Sequence, residues 1–426
     1  MNILVTGLST RAIAESAVRG GHQVITLDYF GDRDQRALVE NHALLRDLGL
    51  PFSAEALLQT SRRLDFEAAV YISTLENHPD VVEQLAQGHI LLGNTPTVLN
   101  RVRDWHLLRT FCHDTGIHCP VTLLPGEERE ANVCPIGSSA VRWLRKPVHS
   151  GGGHGIQSWT GNRLDHRHIL QAYVEGHHAS AAFVADGRHS VVIGLTEQLI
   201  GQGELGARGF AWCGNILPLA VQSAERAAVL RTVETIAAQL THYFGLRGVN
   251  GIDVVIADGP DGHPRTFLIE VNPRYTASME LMERAYGLNV FSLHLDAMAG
   301  RLPDFSLAEH LRSQGAAADA DCGQSGAGGL PFTLQGTHYG KGIVYARRTV
   351  SMPETAEWVE RDRRDIPFPG ERIEAGHPVC TVLAEGKGRE ACWNHLLASA
   401  EAVRREIGDE VANQRAGEST NGRMDE

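Results

Sequence analysis

The sequence predicts a multidomain protein of mixed α/β and α+β class. Three observations support this prediction: apolar strands alternate with helical segments near the N-terminus, a hairpin of two apolar strands in the middle of the chain ends on polar residues, and a stretch rich in alanine and glycine precedes a C-terminal part with short strands. A chain of 426 residues is too long for one small core, and roughly two to four domains are expected.

The composition is typical of a globular protein of the cytoplasm. Hydrophobic residues make up 42% of the chain, and 51 acidic against 39 basic side chains give a formal charge of -12, so a broad electrostatic grip on nucleic acid is not expected. The seven cysteines include no Cys-x-x-Cys pair, which is typical of reduced thiols. The first positive charge, Arg11, comes too late for a secretory signal, and no segment approaches the ~20 apolar residues of a membrane helix. We therefore expect a cytoplasmic protein with no nucleic-acid and no membrane partner.

Residues 1–95 have the pattern of a doubly wound, Rossmann-like domain. A short apolar strand ends in Gly7, a helical segment follows at 10–20, and a second strand ends on Asp28. Two further strands extend the sheet, at 68–73 and 89–92. This order of strand, turn, helix and strand is the opening of a parallel sheet with helices on both faces.

Ligands of such a sheet bind at the carboxyl ends of its strands. This rule indicates Thr10, Arg11, Glu76 and Asn77 as candidate substrate-binding residues, with helix capping as the alternative role of Glu76 and Asn77. The glycine turn reads GLSTRA and lacks the G-x-G-x-x-G of a dinucleotide site. A structural or substrate-binding use of the domain is therefore favoured over a nicotinamide or flavin site, and an oxidoreductase stays an alternative.

The middle of the chain, 96–310, is predicted to be α+β. It begins with one helix over 100–115 and continues with a strand, a glycine-rich loop and a second strand within 140–159. Antiparallel strands follow, then a long helix at 223–244 with apolar residues on one face. A hairpin ends this part, and its second strand covers 266–272.

The remaining chain divides into three segments. Residues 311–332 are predicted to be a flexible linker, because their alanine and glycine composition cannot build a core. Short strands and turns predict a small β-rich C-terminal domain at 333–410, which includes a helix from Arg389. The polar tail at 411–426 is expected to be disordered.

The hairpin carries the candidate metal site. In a strand, residues two apart point to one face, so Glu270 and Asn272 project together while Ile269 and Val271 pack inward. Asp253 is the acid of the partner strand and can lie across from Glu270. Two carboxylates and an amide oxygen suit Mg²⁺, which usually completes its shell with water and substrate phosphates. A routine polar strand face is the alternative, but the pattern favours a phosphate-bearing cosubstrate.

Cationic and glycine-rich elements accompany this hairpin. Arg274 follows it directly, and a guanidinium suits a phosphate or acyl-phosphate oxygen. Lys146 ends a strand before the loop HSGGGHG, whose backbone N–H groups can fold over nucleotide phosphates. The loop is not a Walker A motif, and a flexible turn is its alternative role. Downstream, a strand runs into a short connection within 171–178 that can offer backbone groups to an adenine edge.

These motifs give three sets of candidate site residues. The nucleotide-binding candidates are Lys146, Ser150, Gly151, Gly152, Gly153, His154, Gly155, Gln171, Tyr173, Val174, Glu175 and His178. Arg274 and Lys146 are the candidate catalytic residues. Ser278 and Glu280, which follow Arg274, join the four candidate substrate-binding residues of the first domain.

In their order along the chain, these motifs resemble the ATP-grasp superfamily. The matching features are the Rossmann-like first domain, Lys146 with its glycine loop, the connection QAYVEG, Asp253 and the segment EVNPR, which together span about residues 1–300. The resemblance implies a two-lobed ATP-grasp domain that binds ATP with two Mg²⁺ ions, Mn²⁺ being an alternative. It also implies that Asp253, Glu270 and Asn272 are the metal ligands.

The resemblance further implies an activity, in which ATP phosphorylates a carboxylate and an amine attacks the acyl phosphate. Lys146 then resembles the lysine that contacts the phosphates, and Arg274 the group that steadies the transferred phosphoryl group. The C-terminal part resembles the small β domain of biotin carboxylase and purine-pathway ATP-grasp enzymes, and the whole chain is most similar to a branch of predicted ATP-dependent carboligases. Many members have Asp-Lys after the first domain, whereas this chain reads Asp-Trp-His at 104–106. Either Arg101 or Arg103 replaces the lysine, or this phosphate contact is missing.

The leading functional hypothesis is an ATP-dependent carboxylate–amine ligase. The branch that the chain resembles suggests a link to coenzyme biosynthesis in one-carbon metabolism. Carboxylation through carboxyphosphate and nucleotide binding without turnover are the alternatives. A small-molecule carboxylate and an amine are the expected partners, and a homodimer is the commonest assembly.

Overall fold

The protein is described by a computed structural model that covers residues 1–132, 141–161, 163–220, 223–259, 262–312 and 336–409. The predicted linker from residue 313 onward and the tail at 411–426 lie outside these described residues. Among the described helices, none is long and apolar enough to cross a membrane. One parallel sheet and several antiparallel sheets confirm the predicted mixture of α/β and α+β structure.

The first domain contains a five-stranded parallel sheet with the strand order β3-β2-β1-β4-β5. The strands are β1 (Ile3–Thr6), β2 (Val24–Asp28), β3 (Glu40–Ala43), β4 (Ala68–Tyr71) and β5 (Ile90–Leu91). The helices are α1 (Arg11–Arg19), α2 (Arg33–Arg36), α3 (Leu44–Leu48), α4 (Ala54–Ser61) and α5 (Pro79–Leu85). Alternate residues of β1 enter two cores, because Ile3 and Val5 pack with Ile13 of α1 whereas Leu4 packs with Leu57 of α4. Helices on both faces of the sheet confirm the Rossmann-like prediction.

Two helices, α6 (Pro96–Val102) and α7 (Trp105–Thr115), stand where the sequence predicts one. The division occurs at Asp104, whose Oδ1 accepts hydrogen bonds from the backbone N–H groups of His106 at 2.8 Å and Leu107 at 3.3 Å. An aspartate in this role caps the start of a helix. The prediction of a single helix over 100–115 is therefore wrong, and the capping residue explains the break.

A small antiparallel sheet follows, with the strand order β6-β9-β7-β8. Its strands are β6 (Thr122–Leu123), β7 (Trp143–Pro147), β8 (Gln157–Ser158) and β9 (His168–Ala172). Lys146 pairs with Ile169, so the lysine and Gln171 of β9 belong to neighbouring strands of one small lobe. Leu123, Trp143, Leu164 and Leu170 form its core.

The second lobe is an antiparallel sheet of eight strands with the order β14-β13-β10-β11-β12-β15-β19-β17. These strands are β10 (His177–Asp186), β11 (Ser190–Ile200), β12 (Trp212–Leu217), β13 (Arg247–Asp258), β14 (Pro264–Asn272), β15 (Thr337–Tyr345), β17 (Arg363–Arg364) and β19 (Pro378–Lys387). A separate pair is formed by β16 (Val350–Ser351) and β18 (Arg372–Ile373). The accompanying helices are α8 (Ser223–Phe244), α9 (Met279–Tyr286), α10 (Val290–Met298) and α11 (Arg389–Glu406).

The C-terminal part is rich in strands, as predicted, but its long strands extend the central sheet. Gly214 to Leu217 of β12 pair with Gly342 to Tyr339 of β15, which in turn pairs with β19. Helix α11 covers this extension through Cys392, Leu396, Ala400 and Val403. The sheet therefore runs without interruption from the candidate metal hairpin into the C-terminal part.

The first domain is held against the central sheet by α9 and α10. Ile13 of α1 belongs to the same apolar cluster as Met279 and Phe291. The imidazole of His294 joins the two sheets, because Nδ1 accepts from the Val249 N–H at 3.0 Å and Nε2 lies 3.0 Å from the Leu92 carbonyl, to which it donates. This packing brings the carboxyl ends of the parallel strands next to the end of β14.

Candidate active site

The candidate metal ligands converge on one face of the β13–β14 hairpin. Asp253 pairs with Glu270 and Gly251 pairs with Asn272, and a bulge follows Asp253. The Asn272 Nδ2 donates to Asp253 Oδ2 at 3.3 Å, so all three predicted ligands lie in one group. The Gln198 Nε2 on β11 donates to the other oxygen, Asp253 Oδ1, at 2.9 Å. The side-chain amides of Asn272 on β14 and Gln198 on β11 thus fix the position of the Asp253 carboxylate.

The two carboxylates of the hairpin repel each other. Burial and then the nearby Glu270 carboxylate raise the pKa of Asp253 to about 6. Burial alone would also raise the pKa of Glu270, but the charges of Arg103 and Lys146 outweigh it and lower that pKa. A divalent cation between the two groups would relieve their repulsion, so the residues fit Mg²⁺. The described residues contain no group of three or more His, Cys, Asp or Glu side chains placed to hold a metal, so water and ligand oxygens would complete the shell beside the Asn272 oxygen.

Arg103 is the cationic side chain that bonds directly to Glu270 of this hairpin. Its guanidinium donates to Glu270 Oε1 at 2.8 Å and to the carbonyls of Val271 at 3.3 Å and Val148 at 3.4 Å. Arg101 points elsewhere, because it donates to the Tyr243 carbonyl at 2.9 Å. Of the two arginines proposed to replace the missing lysine, only Arg103 reaches the predicted metal ligands.

Lys146 places a buried ammonium group near the carboxylates of the same hairpin. Its Nζ donates to Gln171 Oε1 at 2.9 Å and lies 5.7 Å from the centre of the Trp105 ring. Burial lowers the pKa of Lys146, while the charges of Glu270 and Asp253 oppose that shift. Among the described residues, one of its three N–H groups is bonded to Gln171, which leaves two for the oxygens of a ligand.

Arg274 links the hairpin to the first domain. Its Nε donates to Glu76 Oε1 at 2.8 Å, Nη1 to the Tyr275 carbonyl at 2.9 Å and Nη2 to Asn272 Oδ1 at 3.2 Å. Nη2 also lies 2.8 Å from Glu76 Oε1, so among the described contacts one N–H of Nη1 is left for a substrate. The arginine is held between a predicted metal ligand and the loop after β4.

The glycine loop lies close to both lobes. The Gly152 carbonyl accepts a hydrogen bond from the Trp212 N–H at 2.9 Å. Gly153 has a φ of 76°, and a Cβ atom there would lie 1.8 Å from the Phe210 carbonyl oxygen. A Cβ at Gly151 would lie 3.8 Å from Ser73 Oγ. The loop, which also contains Ser150, His154 and Gly155, therefore approaches the end of the parallel sheet.

The predicted adenine connection joins the two lobes. It leaves β9 after Ala172 and enters β10 at His177, and the Tyr173 N–H donates to the Arg142 carbonyl at 2.8 Å. Within the described residues, the backbone N–H groups of Val174 and Glu175 donate to no backbone carbonyl. They are therefore available to a ligand. His178 is half-buried, and burial lowers its pKa.

Four of the six predicted substrate-binding residues have polar contacts with residues outside the predicted catalytic set. Thr10 bonds to Asp28 Oδ2 at 2.8 Å through its hydroxyl, and Ser278 lies 3.1 Å from the Thr276 hydroxyl. The Arg11 guanidinium is paired with Glu280. The sequence places these residues at the correct edge of the sheet, but it does not show that their polar groups are already partnered. Glu76, by contrast, accepts a hydrogen bond from Arg274, and Asn77 belongs to the same 3-10 turn.

Three further side chains contact predicted site residues, and their positions are not evident from the sequence. Gln198 reaches Asp253 across the sheet, Lys341 donates to Glu280 Oε2 at 2.6 Å, and Asp365 accepts from Arg11 Nε at 3.0 Å. Each lies far along the chain from its partner. The only signal in the sequence is for Lys341, because the chain has only three lysines and this one lies within an apolar strand pattern.

Comparison with known proteins agrees with this architecture. Residues 104–278 match the family of the ATP-grasp domain. An uncharacterized protein of Methanocaldococcus jannaschii is 20% identical over 404 residues, which cover 90% of this chain and 88% of that protein.

Two solved structures share the fold over almost the whole chain. The biotin carboxylase domain of 2-oxoglutarate carboxylase from Hydrogenobacter thermophilus, a dimer in complex with MgADP, ADP and bicarbonate, aligns with a TM-score of 0.63 at 12% identity and covers 95% of this chain and 89% of that one. L-amino acid ligase from Bacillus licheniformis aligns with a TM-score of 0.58 at 14% identity over 94% of this chain and 97% of that one. Residues 104–278 therefore match the ATP-grasp domain, and the chain as a whole shares its fold with a biotin carboxylase domain and an L-amino acid ligase.

Proposed function

We propose that the protein is an ATP-dependent carboxylate–amine ligase that forms an amide through an acyl phosphate and releases ADP and phosphate. The observation that carries this proposal is the opposition of Asp253 and Glu270 on the hairpin, surrounded by three cations, Arg103, Lys146 and Arg274. Phosphoryl transfer requires positioning and charge neutralisation more than covalent help from the protein. This set of side chains is suited to that task.

Each group of side chains in the site would have a separate role. Mg²⁺ held by Asp253, Glu270 and Asn272 would neutralise charge on the ATP phosphates. Lys146 has two N–H groups available for phosphate oxygens, and the glycine loop supplies backbone donors nearby. Arg274 has an N–H group of Nη1 available for an oxygen of the carboxylate or of the transferred phosphoryl group.

A second candidate is carboxylation through carboxyphosphate. The fold shared with a biotin carboxylase domain bound to bicarbonate favours it. In that case bicarbonate would be the carboxylate that is phosphorylated at Arg274. The two functions differ in one requirement, because only the second makes ADP release depend on added bicarbonate.

A screen of ADP release tests both functions. Full-length protein with ATP and Mg²⁺ is offered amino acids, aryl amines, pterin and furan precursors, and bicarbonate, the pterin and furan compounds testing the proposed link to coenzyme biosynthesis. We expect ADP release only with a carboxylate and an amine together, and loss of that release in Glu270→Gln while the protein stays folded. Release with bicarbonate alone would instead support carboxylation. Nucleotide binding without release under any condition would contradict both enzymatic functions.

The same proposal extends to the assembly and the metal. We propose two Mg²⁺ ions, replaceable by Mn²⁺, since two carboxylates and an amide leave shell positions for the phosphates. We also propose a homodimer, because the related biotin carboxylase domain is a dimer. Light scattering of the full chain and ATP turnover with each metal measure these two properties.

A further inference from the structure

The turn after β4 contains one acidic and one amide side chain, and each has an oxygen that accepts no hydrogen bond from the described residues. It is a single turn of 3-10 helix, Leu75–Asn77, and Glu76 and Asn77 are 1% and 7% exposed. Among the described residues, Glu76 Oε2 and Asn77 Oδ1 are buried and accept no hydrogen bond. Buried acceptors normally have a partner, so these two oxygens indicate a donor that the protein itself does not supply.

The turn lies where a substrate would have to bind. Glu76 Oε1 accepts from Arg274 Nε at 2.8 Å, and Arg274 contacts the predicted metal ligand Asn272 on its other side. The glycine loop comes close to the same segment, because a Cβ at Gly151 would lie 3.8 Å from both Ser73 Oγ and Thr74 Cγ2. The turn is thus placed between the predicted phosphoryl-transfer groups and the end of the parallel sheet.

The chemistry of the unused atoms selects the ligand. A carboxylate oxygen and an amide oxygen are both acceptors, and the carboxylate carries negative charge. A second carboxylate or a bicarbonate ion would be repelled, whereas the N–H groups of an ammonium ion would match both oxygens. We propose that Glu76 and Asn77 bind the amino group of the nucleophile in its ammonium form. This inference rests on the proposed ligase function and assigns the amine to one place in the site.

Positioning of Arg274 is not a sufficient explanation for this turn. That contact uses Oε1 of Glu76 only. It leaves Oε2 unpaired, and it involves no atom of Asn77. A purely structural role would also not distinguish an amine from a carboxylate of the same size. Ligand selectivity is therefore the property that separates the two explanations.

A binding experiment tests the proposal without requiring turnover. Ligand-observed NMR with the full chain and MgADP would compare propylammonium, benzylammonium and glycinamide with the size-matched propionate, benzoate and propanol. We expect the amines to bind and the matched compounds to bind at least about tenfold more weakly, since charge-assisted hydrogen bonds are the stronger kind. Carboxylates that bind as well as the amines, or amines that fail to bind, would overturn the proposal.

Two variants of the turn and one control locate the effect. Glu76→Gln keeps an oxygen for Arg274 but removes the charge, and we expect amine affinity to fall about tenfold. Asn77→Asp adds a second negative charge to the turn, and we expect amine affinity to rise. The control Glu55→Gln makes the same chemical change at an exposed site on α4 and should change nothing. Equal amine affinities in wild type and both turn variants would refute the assignment.

Hydroxylamine separates this inference from the proposed function. It is small and largely uncharged at neutral pH, so it can trap an acyl phosphate as a hydroxamate without an ammonium site. We expect Glu76→Gln to keep hydroxamate formation while losing most of its reaction with the amine. Loss of both reactions to the same extent would show that Glu76 acts through Arg274 and would contradict the amine site. Absence of hydroxamate from the wild type would contradict the proposed function. The amine site would then be judged by the binding experiment, which does not require turnover.

Discussion

Arg103 is the residue on which the charge balance of the site depends most. It contacts Glu270 and the backbone of both lobes, and its side chain is only 9% exposed. Truncating one partner of a buried charged pair leaves the other without compensation. Arg103 therefore fixes a predicted metal ligand, in addition to any phosphate contact that the resemblance implies for it.

Replacement of Arg103 tests this role. We expect Arg103→Leu to reduce ADP release by about 100-fold, in the range found when a preorganised charged donor is removed. Arg101→Leu is the control, because Arg101 lies in the last turn of α6, two residues before Arg103, but contacts Tyr243 instead of the hairpin. Steady-state ADP release with varied ATP measures both variants. Equal effects of the two changes would mean that Arg103 has no special part in the site.

Lys146 gives a second prediction at this scale. Lys146→Met keeps an unbranched side chain beside Trp105 but removes the ammonium group. We expect the KM for ATP to rise and kcat to fall, together by about 100-fold or more, since the charge acts on phosphate oxygens in a buried site. Lys387→Met at the exposed end of β19 is the control. A Lys146→Met enzyme with unchanged ATP kinetics would show that the ammonium does not contact the nucleotide.

At the scale of elements, the glycine loop depends on one glycine more than on its neighbours. Gly153 has a positive φ and lies against the Phe210 carbonyl, whereas a Cβ at Gly151 would meet nothing closer than 3.8 Å. We expect Gly153→Ala to weaken MgADP binding at least about tenfold, because the loop would have to leave its position on β12. Gly151→Ala should have a clearly smaller effect. Calorimetric titration of both variants with MgADP gives the comparison, and the reverse order of effects would contradict the described loop.

The hairpin and the capped helix show what the sequence can predict about elements. The period of two in a strand places Glu270 and Asn272 on one face, and their opposition to Asp253 follows once the hairpin is recognised. The break at Asp104 is also encoded locally, since aspartate caps helices, but apolar periodicity across 100–115 hides it. Gln198 is different, because its contact with Asp253 crosses a strand and depends on the order of strands in the sheet.

At the scale of the whole molecule, a buried ion network joins the first domain to both later parts of the chain. Arg11 of α1 contacts Glu280 of α9 and Asp365 of the C-terminal part, and Lys341 of β15 contacts Glu280 as well. Glu280 is 5% exposed and Arg11 is 1% exposed. The network therefore holds three segments, distant in sequence, in one arrangement around the site.

Neutralising Glu280 should destabilise the whole molecule. Glu280→Gln leaves Arg11 and Lys341 without their shared partner, and we expect a loss of about 3–5 kcal/mol in the free energy of unfolding. Glu354→Gln removes the partner of Arg33 in an exposed pair that also joins the first domain to the C-terminal part, and it should have little effect. Denaturant unfolding near neutral pH measures both variants. Equal stabilities would show that the network is not a major link.

The same network sets a pH dependence of stability. Burial would raise the pKa of Glu280, but the charges of Arg11 and Lys341 outweigh it and hold that pKa well below the ordinary 4.5. A carboxyl whose pKa is lower in the folded state stabilises the protein above its unfolded pKa, and this contribution is lost as pH falls below that value. The difference in stability between wild type and Glu280→Gln should therefore shrink as pH falls below about 4.5. Unfolding curves across this range give the slope, and a difference that grows in acid would contradict the assignment.

The ion network also marks the limit of prediction from sequence for the whole molecule. Arg11 and Glu280 stand at the expected edge of the parallel sheet, and as isolated residues they have the character of substrate-binding groups. Lys341 reaches Glu280 because β15 pairs with β12. Strands that are this far apart in the sequence leave no hydrophobic periodicity from which their pairing could be predicted. The same packing explains why the strand-rich C-terminal part extends the central sheet.

In the proposed reaction, ATP phosphorylates a carboxylate before an amine attacks it. Transfer of ¹⁸O from the carboxylate to the released phosphate tests this order of steps. The carboxylate identified by the ADP screen is labelled with ¹⁸O on both oxygens and turned over with ATP and the amine. Phosphorylation makes one carboxylate oxygen the bridge to phosphorus, and amine attack releases it with phosphate. The account predicts ADP and one ¹⁸O atom in each released phosphate. Release of AMP that carries the label, or phosphate without ¹⁸O, would contradict it.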